Sequence, residues 1–274
     1  MDELERWDPW VPAGYTTDEL AEALVEGRVA GPVTSHDRRN VLRKIRRLAE
    51  GDPDLQFGLR GMTDVSPSTV LALMAEAAGF DPDPAIREGP SPIDPYKVLA
   101  GCEAAGRRLA QAAERGERVI LATGHPAGLP LLYVAIGELL ERGGAKLLRP
   151  HEGVRWDEED EVLYPMGRHR HRQIRYLRGV AVLTDHASTL HTHDPGPMER
   201  MLAEDRPDLV FADHGFAGAA IQGGVETISI VDVNDPAPVV AKHQGRTELV
   251  IVMDDNVEPD AYWPCFQAIA SQFH

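Results

Sequence analysis

The chain has 274 residues and a formal net charge of −16, from 28 basic and 44 acidic side chains. That negative excess argues against general affinity for nucleic acid or anionic membrane surfaces. No apolar run reaches the length of a membrane span, the N-terminus MDELERWDPW is acidic, and the two cysteines, Cys102 and Cys265, lie far apart. A reduced, cytoplasmic protein is expected from these features.

Residues 1–93 read as a helical N-terminal segment packed on the rest of the chain. Thr16-Thr17-Asp18-Glu19 has the form of a capping box, with Leu20, Ala23 and Leu24 on one helical face. Ser35-His36-Asp37 opens a basic helix in which Arg38, Arg39, Arg43, Lys44, Arg46 and Arg47 surround a stripe of Val41, Leu42, Ile45 and Leu48. Its simplest reading is an exposed amphipathic face. Ser66-Pro67 sets an N-cap before a proline at the first helical position, and that helix runs to Ala78 before Gly79. Pro82, Pro84, Pro90, Pro92 and Pro95 then mark an irregular connection.

Residues 94–274 read as an α/β core. Asp94-Pro95 caps an alanine-rich helix over 95–115. It leads into Glu117–Pro150, where a β-branched run (Arg118–Thr123) is followed by the turn Gly124-His125-Pro126-Ala127-Gly128. A helical period then runs from Leu129 to Gly143-Gly144, and a second apolar run covers Ala145–Leu148. Residues 151–178 suggest a hairpin or flap in which acidic Asp157–Glu161 faces basic Arg168–Arg172. Four further strands, Gly179–Thr184, Asp208–Ala212, Thr227–Val231 and Glu248–Met253, alternate with short helices. This rhythm predicts a mainly parallel, Rossmann-like sheet with helices on both faces.

Those four strands finish beside Asp185, Asp213, Asp232 and Asp254, which a parallel sheet lines up along one edge with the His125 turn. Converging carboxylates there suit a hard divalent cation that bridges to substrate oxygens. The same residue type after a strand also serves as a turn former or helix N-cap, and the two readings stand side by side. Gly124, His125 and Gly128 at a strand-to-helix turn suit an anion such as phosphate. His186, His191 and His193 could ligate Zn²⁺ or be solvated loop residues, and the loop reading is favoured without a cysteine or HExxH frame. No GxxxxGK[ST] or GxSxG occurs, and the glycine spacing after Asp213 does not suit a dinucleotide.

The segments Ile93-Asp94-Pro95, Thr123-Gly124-His125-Pro126, Thr184-Asp185-His186, Ala212-Asp213-His214-Gly215, Asp232-Val233-Asn234-Asp235-Pro236 and Asp254-Asp255-Asn256-Val257 carry a resemblance. Together they make the chain similar to a family of bacterial proteins, frequent in actinobacteria, catalogued as phosphatases. The family name implies hydrolysis of phosphate esters. Combined with the sheet-edge carboxylates, it leads to the expectation of a metal-assisted phosphoric monoester hydrolase acting on a small phosphorylated metabolite. Asp185, Asp213, Asp254 and Asn256 would hold Mg²⁺ or Mn²⁺ in preference to Zn²⁺. His125, His214 and Asp185 would act in catalysis, and Gly124, His125 and Gly128 would contact phosphate. The alternative is a non-catalytic binding or regulatory protein using the same crevice.

Overall fold

The computed structural model describes residues 14–158, 170–185 and 188–273. Four helices precede the first strand of the sheet by some distance: α1 (Thr17–Glu26), α2 (Arg38–Ala49), α3 (Pro53–Gln56) and α4 (Pro67–Ala78). α1 begins at the capping box, where the Thr16 hydroxyl accepts from the Glu19 N–H and the Glu19 carboxylate accepts from the Thr16 N–H. α4 starts at the Ser66 cap and stops where Gly79 takes φ +91°, a conformation that costs glycine little. The 20-residue α5 (Pro95–Glu114) follows, capped by Asp94.

The remaining elements alternate. They are β1 (Arg118–Thr123), α6 (Pro130–Gly143), β2 (Lys146–Leu147), β3 (Arg155–Glu158), β4 (Arg170–Leu177), β5 (Val180–Asp185), β6 (Ser188–Thr189) and α7 (Gly196–Glu204). They continue with β7 (Leu209–Asp213), α8 (His214–Gln222), β8 (Glu226–Val231), α9 (Ala237–His243), β9 (Leu249–Val252) and α10 (Trp263–Ala270). Among the described residues this is an α/β protein with one nine-stranded mixed sheet, ordered β3-β4-β5-β1-β7-β8-β9, with β2 beside β1 and β6 beside β5. The run β5-β1-β7-β8-β9 is parallel throughout. β4 runs antiparallel to both β3 and β5, with Asp157 opposite His171 as the charge pattern of the arms predicts. The apex of that hairpin, 159–169, lies outside the described residues.

Every residue of β1 after Arg118 and all of β7 are buried, because apolar layers cover both faces. One core joins the strands to α5, α6 and α10, and a second joins Ile120, Ala122 and Val210 to α7 and α8. The chain leaves β1 toward β5 and later returns to β7 on the opposite side, so the sheet has its switch point between β1 and β7. Ligands of open α/β sheets bind at the carboxyl ends of strands at such a point. No helix among the described residues is long and apolar enough to cross a membrane.

The basic helix departs from the sequence expectation. Arg38 is buried, and its guanidinium donates to the carbonyls of Asp81, Asp83 and Ile86. It thereby fastens the proline-rich connection, while Lys44 on the same helix faces Asp235. Two of its cations point inward because partners that sequence alone does not reveal lie there. The preceding segment is joined to α8 by a close approach, since a Cβ at Gly218 would collide with the Phe57 carbonyl. Gly218→Ala should lower unfolding free energy by about 2 kcal/mol or more through forced repacking. Urea denaturation measures it, and an unchanged midpoint would show that this contact yields freely.

Candidate active site

The switch point brings three histidines and a set of aspartates together. At the end of β7, Asp213 is completely buried. Its Oδ1 accepts from the Gly124 N–H at 2.7 Å and from His214 Nδ1 at 2.7 Å, and its Oδ2 accepts from the Tyr133 hydroxyl at 2.8 Å. Burial opposes its charge, but the His214 hydrogen bond and imidazolium, with the Thr123 and Tyr133 hydroxyls, hold it below the usual carboxylate range. Asp213 occupies the N-cap position of α8 yet makes no side-chain capping bond. Its oxygens orient the imidazole of His214 instead.

His214 stands in the left-handed region at φ 47°, unusual for a residue with a Cβ. With Nδ1 tied to Asp213, its Nε2 lies 3.7 Å from Asp235 Oδ2, 3.7 Å from Asp255 Oδ2 and 3.4 Å from His191 Nε2. His193 joins through a stacked contact with the His214 ring, and its Nδ1 lies 3.1 Å from Asp54. The donor atoms form two groups that share His214: His191, His193 and His214, and His214, Asp235 and Asp255. Burial, offset in part by His214 and reinforced by Asp232, Asp235 and Asp213, pushes the Asp255 carboxyl well up. Burial also opposes charge on His214, but the Asp213 hydrogen bond and the Asp255, Asp213 and Asp235 charges carry it up to about 9. Desolvation, then the electrostatic influence of the neighbouring His214, His193 and His125 rings, pushes His191 down to about 4.

The remaining expected residues occupy distinct places. Gly124 uses its N–H on Asp213, and a Cβ there would strike the Thr192 carbonyl. His125 is nearly buried, 3.9 Å from Asp255 through Nε2, and kept low in pKa by burial and then by His214. Gly128 lets the turn close on the Asp255 and Val257 carbonyls, which a Cβ would approach to 2.9 and 3.1 Å. With exposed Asn256, His125 and Gly128 line an open cavity of about 700 Å³. Asp254 accepts from the Ser35 N–H at 2.5 Å, the Ser35 hydroxyl at 2.7 Å and the Asn256 N–H at 3.0 Å, which ties a loop in place. Asp185 ends β5, where its backbone pairs with Arg172 and Ser188, and it is not in either donor group. His186 lies outside the described residues.

Comparisons with known proteins give the family. The family model described as Phosphatase matches residues 15–273. The chain belongs to the Phosphatase family. A Streptomyces coelicolor protein whose name also reads as a phosphatase is 36% identical over 260 residues, which span 92% of this chain and 94% of that protein. The match starts at residue 15, so in this Phosphatase family chain α1 and α2 belong to the family unit along with the sheet.

That inclusion has a structural counterpart, because the segment around α2 holds the acidic loops after β8 and β9. Ser35 holds Asp254, His36 Nε2 lies 3.2 Å from Asp232, Asn40 accepts from Asn234 at 2.9 Å, and Lys44 Nζ lies 3.4 Å from Asp235. Sequence reading quoted Asp235 and Asp255 within motifs but gave the metal-holding role to Asp254 and named Asp232 only among the strand-end acids. It also left Ser35, Lys44 and Tyr133 without a role. The doubled acids of Asp254-Asp255 and Asp232-Val233-Asn234-Asp235 were the available signal, and the His191/His193 pair was visible as a loop cluster.

The buried His214–Asp213 pair makes metal-free protein sensitive to pH. A histidine with a folded pKa of about 9, against 6.5 ordinarily, stabilises the fold fully below pH 6.5. That contribution is lost as pH rises through about 9, and the upward shift of Asp255 acts in the same direction. Urea midpoints of chelator-treated protein should therefore fall across this window, by roughly 3 kcal/mol in stability. Asp213→Asn should flatten the slope, and a rise in stability with pH would contradict the assignment.

Proposed function

We propose that this chain is a metal-dependent phosphatase hydrolysing a small phosphorylated metabolite at the carboxyl ends of β1, β7, β8 and β9. The carrying observation is the convergence of Asp235 Oδ2, Asp255 Oδ2 and His191 Nε2 within 3.4–3.7 Å of His214 Nε2. Asp255 Oδ2 is buried there and accepts no hydrogen bond among the described residues. Buried oxygens of that kind are costly unless a cation or proton compensates them. The donor set therefore fits a divalent ion, which His214, Asp235 and Asp255 would hold, with His191 and His193 as further nearby donors. Imidazoles mixed with carboxylates favour Mn²⁺ or Zn²⁺ over Mg²⁺, which keeps more of its water.

Such an ion would neutralise phosphoryl oxygens and lower the pKa of a water to be used as nucleophile. The chain's own groups do the rest. Asp213 fixes the tautomer and direction of His214 by holding Nδ1, as outer partners of ligating histidines do. Holding an ion through Nε2 would require His214 to give up the proton that Asp213, Asp235 and Asp255 favour, so metal affinity would rise with pH. Lys44 balances Asp235 and keeps its second oxygen directed at His214. His125, neutral at pH 7, stands between the donor group and the cavity, where it can hydrogen-bond the ester oxygen. Water adds to phosphorus, the phosphorus–oxygen ester bond breaks, and the departing oxygen takes up a proton to leave an alcohol and inorganic phosphate.

Chelator treatment should abolish release of phosphate from small monoesters, and Mn²⁺ should restore it. Asp255→Asn should lower Mn²⁺ affinity and turnover by orders of magnitude, whereas Asp213→Asn, acting through His214, should cost about 10–100-fold. Calorimetry and phosphate release on the same preparations measure both. Turnover that survives chelator and Asp255→Asn alike would sink the metal assignment; saturable binding of esters without phosphate release would identify a binding protein instead.

A further inference from the structure

The 700 Å³ cavity beside His125 carries a charge pattern that the hydrolytic centre does not need. Its walls come from the C-terminal end of α1, from the loop after β9 and from the start of α10. Glu26, Glu258 and Asp260 line it and are exposed, and none of them forms an ion pair among the described residues. Arg28 lines it too, so one guanidinium stands against three carboxylates. The C-terminal carbonyls of the ten-residue α1 add partial negative charge at the same wall. Trp263 supplies an exposed aromatic face, and the Tyr15 ring lies 5.0 Å from it.

His125 connects this cavity to the donor group, with Nε2 3.9 Å from Asp255. His125 is only 9% exposed and lines the cavity, yet its buried Nδ1 has no hydrogen-bond partner among the described residues. The turn carrying it is held close to Asp255 by Gly128, so the ring forms a partition between the metal-ligand group and the cavity. A monoester whose phosphoryl group reaches Asp255 from the His125 side would place its remaining part in this cavity.

Resting on the phosphatase reading above, we propose that this cavity is the leaving-group subsite and selects phosphate monoesters whose alcohol carries a cationic amine. Carboxylates and an aromatic face are the groups that bind ammonium ions. The net negative wall disfavours a second phosphate or a carboxylate on the substrate. Size agrees, since a cavity of this volume accepts a small metabolite.

Non-hydrolysable phosphonates separate binding from turnover. The 274-residue chain with Mn²⁺ is titrated calorimetrically with 2-aminoethylphosphonate, 2-hydroxyethylphosphonate and 2-carboxyethylphosphonate. The amine should bind about tenfold more tightly than the hydroxyl compound, as expected for charges partly screened by solvent, and the carboxylate should bind more weakly still. Glu26→Gln combined with Asp260→Asn should shrink the amine-to-hydroxyl ratio toward one, and added salt should do the same. Equal affinities, tighter carboxylate binding, or a ratio untouched by the double substitution would overturn the proposal. The matching phosphate esters are then assayed for phosphate release. Release without amine preference removes the subsite and leaves the phosphatase reading; amine preference in binding without release does the reverse.

Discussion

The buried carboxylate of Asp213 is the constraint on which the centre of this molecule depends. Three elements meet on it: the turn after β1 through the Gly124 N–H, α6 through the Tyr133 hydroxyl, and α8 through His214. An ionised carboxylate at zero exposure is tolerable only when each oxygen is occupied by donors and a cation lies near. Here those donors also determine the direction of an imidazole. His214 accepts a left-handed backbone to satisfy Asp213, and its other nitrogen then faces Asp235, Asp255 and His191. Local strain at the first residue of α8 is thus retained by a buried ionic hydrogen bond.

The second tier of organisation comes from outside the sheet. Carboxylates of Asp232, Asp235, Asp254 and Asp255 crowd the ends of β8 and β9, and left alone they would repel one another. Ser35, His36, Asn40 and Lys44 supply hydroxyl, imidazole, amide and ammonium groups to the loops that carry them. Burial, then mutual repulsion tempered by His36, still lifts Asp232 to about 6. The helical segment therefore finishes the centre electrostatically, and the close contact of Phe57 with Gly218 anchors it against the helix that carries His214.

Much of the architecture was legible because it rests on local physics. The β-branched runs became β1, β5, β7, β8 and β9 within a residue or two, and the caps Thr16, Ser66 and Asp94 opened the helices they announce. The antiparallel β3–β4 pair followed from opposed charges on the two arms. The short α3 and the inward turn of Arg38 did not emerge, since a buried arginine on a polar-looking helix is recognised only when the carbonyls that receive it are known.

Sequence by itself determined the parallel α/β class, the alignment of acidic loops on one edge, and the joint presence of His125, His214 and several aspartates there. Periodicity and strand-end position suffice for that, because they are properties of consecutive residues. Only tertiary structure decided which acid of each run faces which partner. Successive side chains on an extended segment point to opposite sides, so Asp254 turns to Ser35 while adjacent Asp255 turns to His214. Likewise Asp213 and Asp235 look equivalent in sequence. One is enclosed by donors from β1, α6 and α8, while the other meets Lys44 and His214, and that difference is made by long-range packing alone.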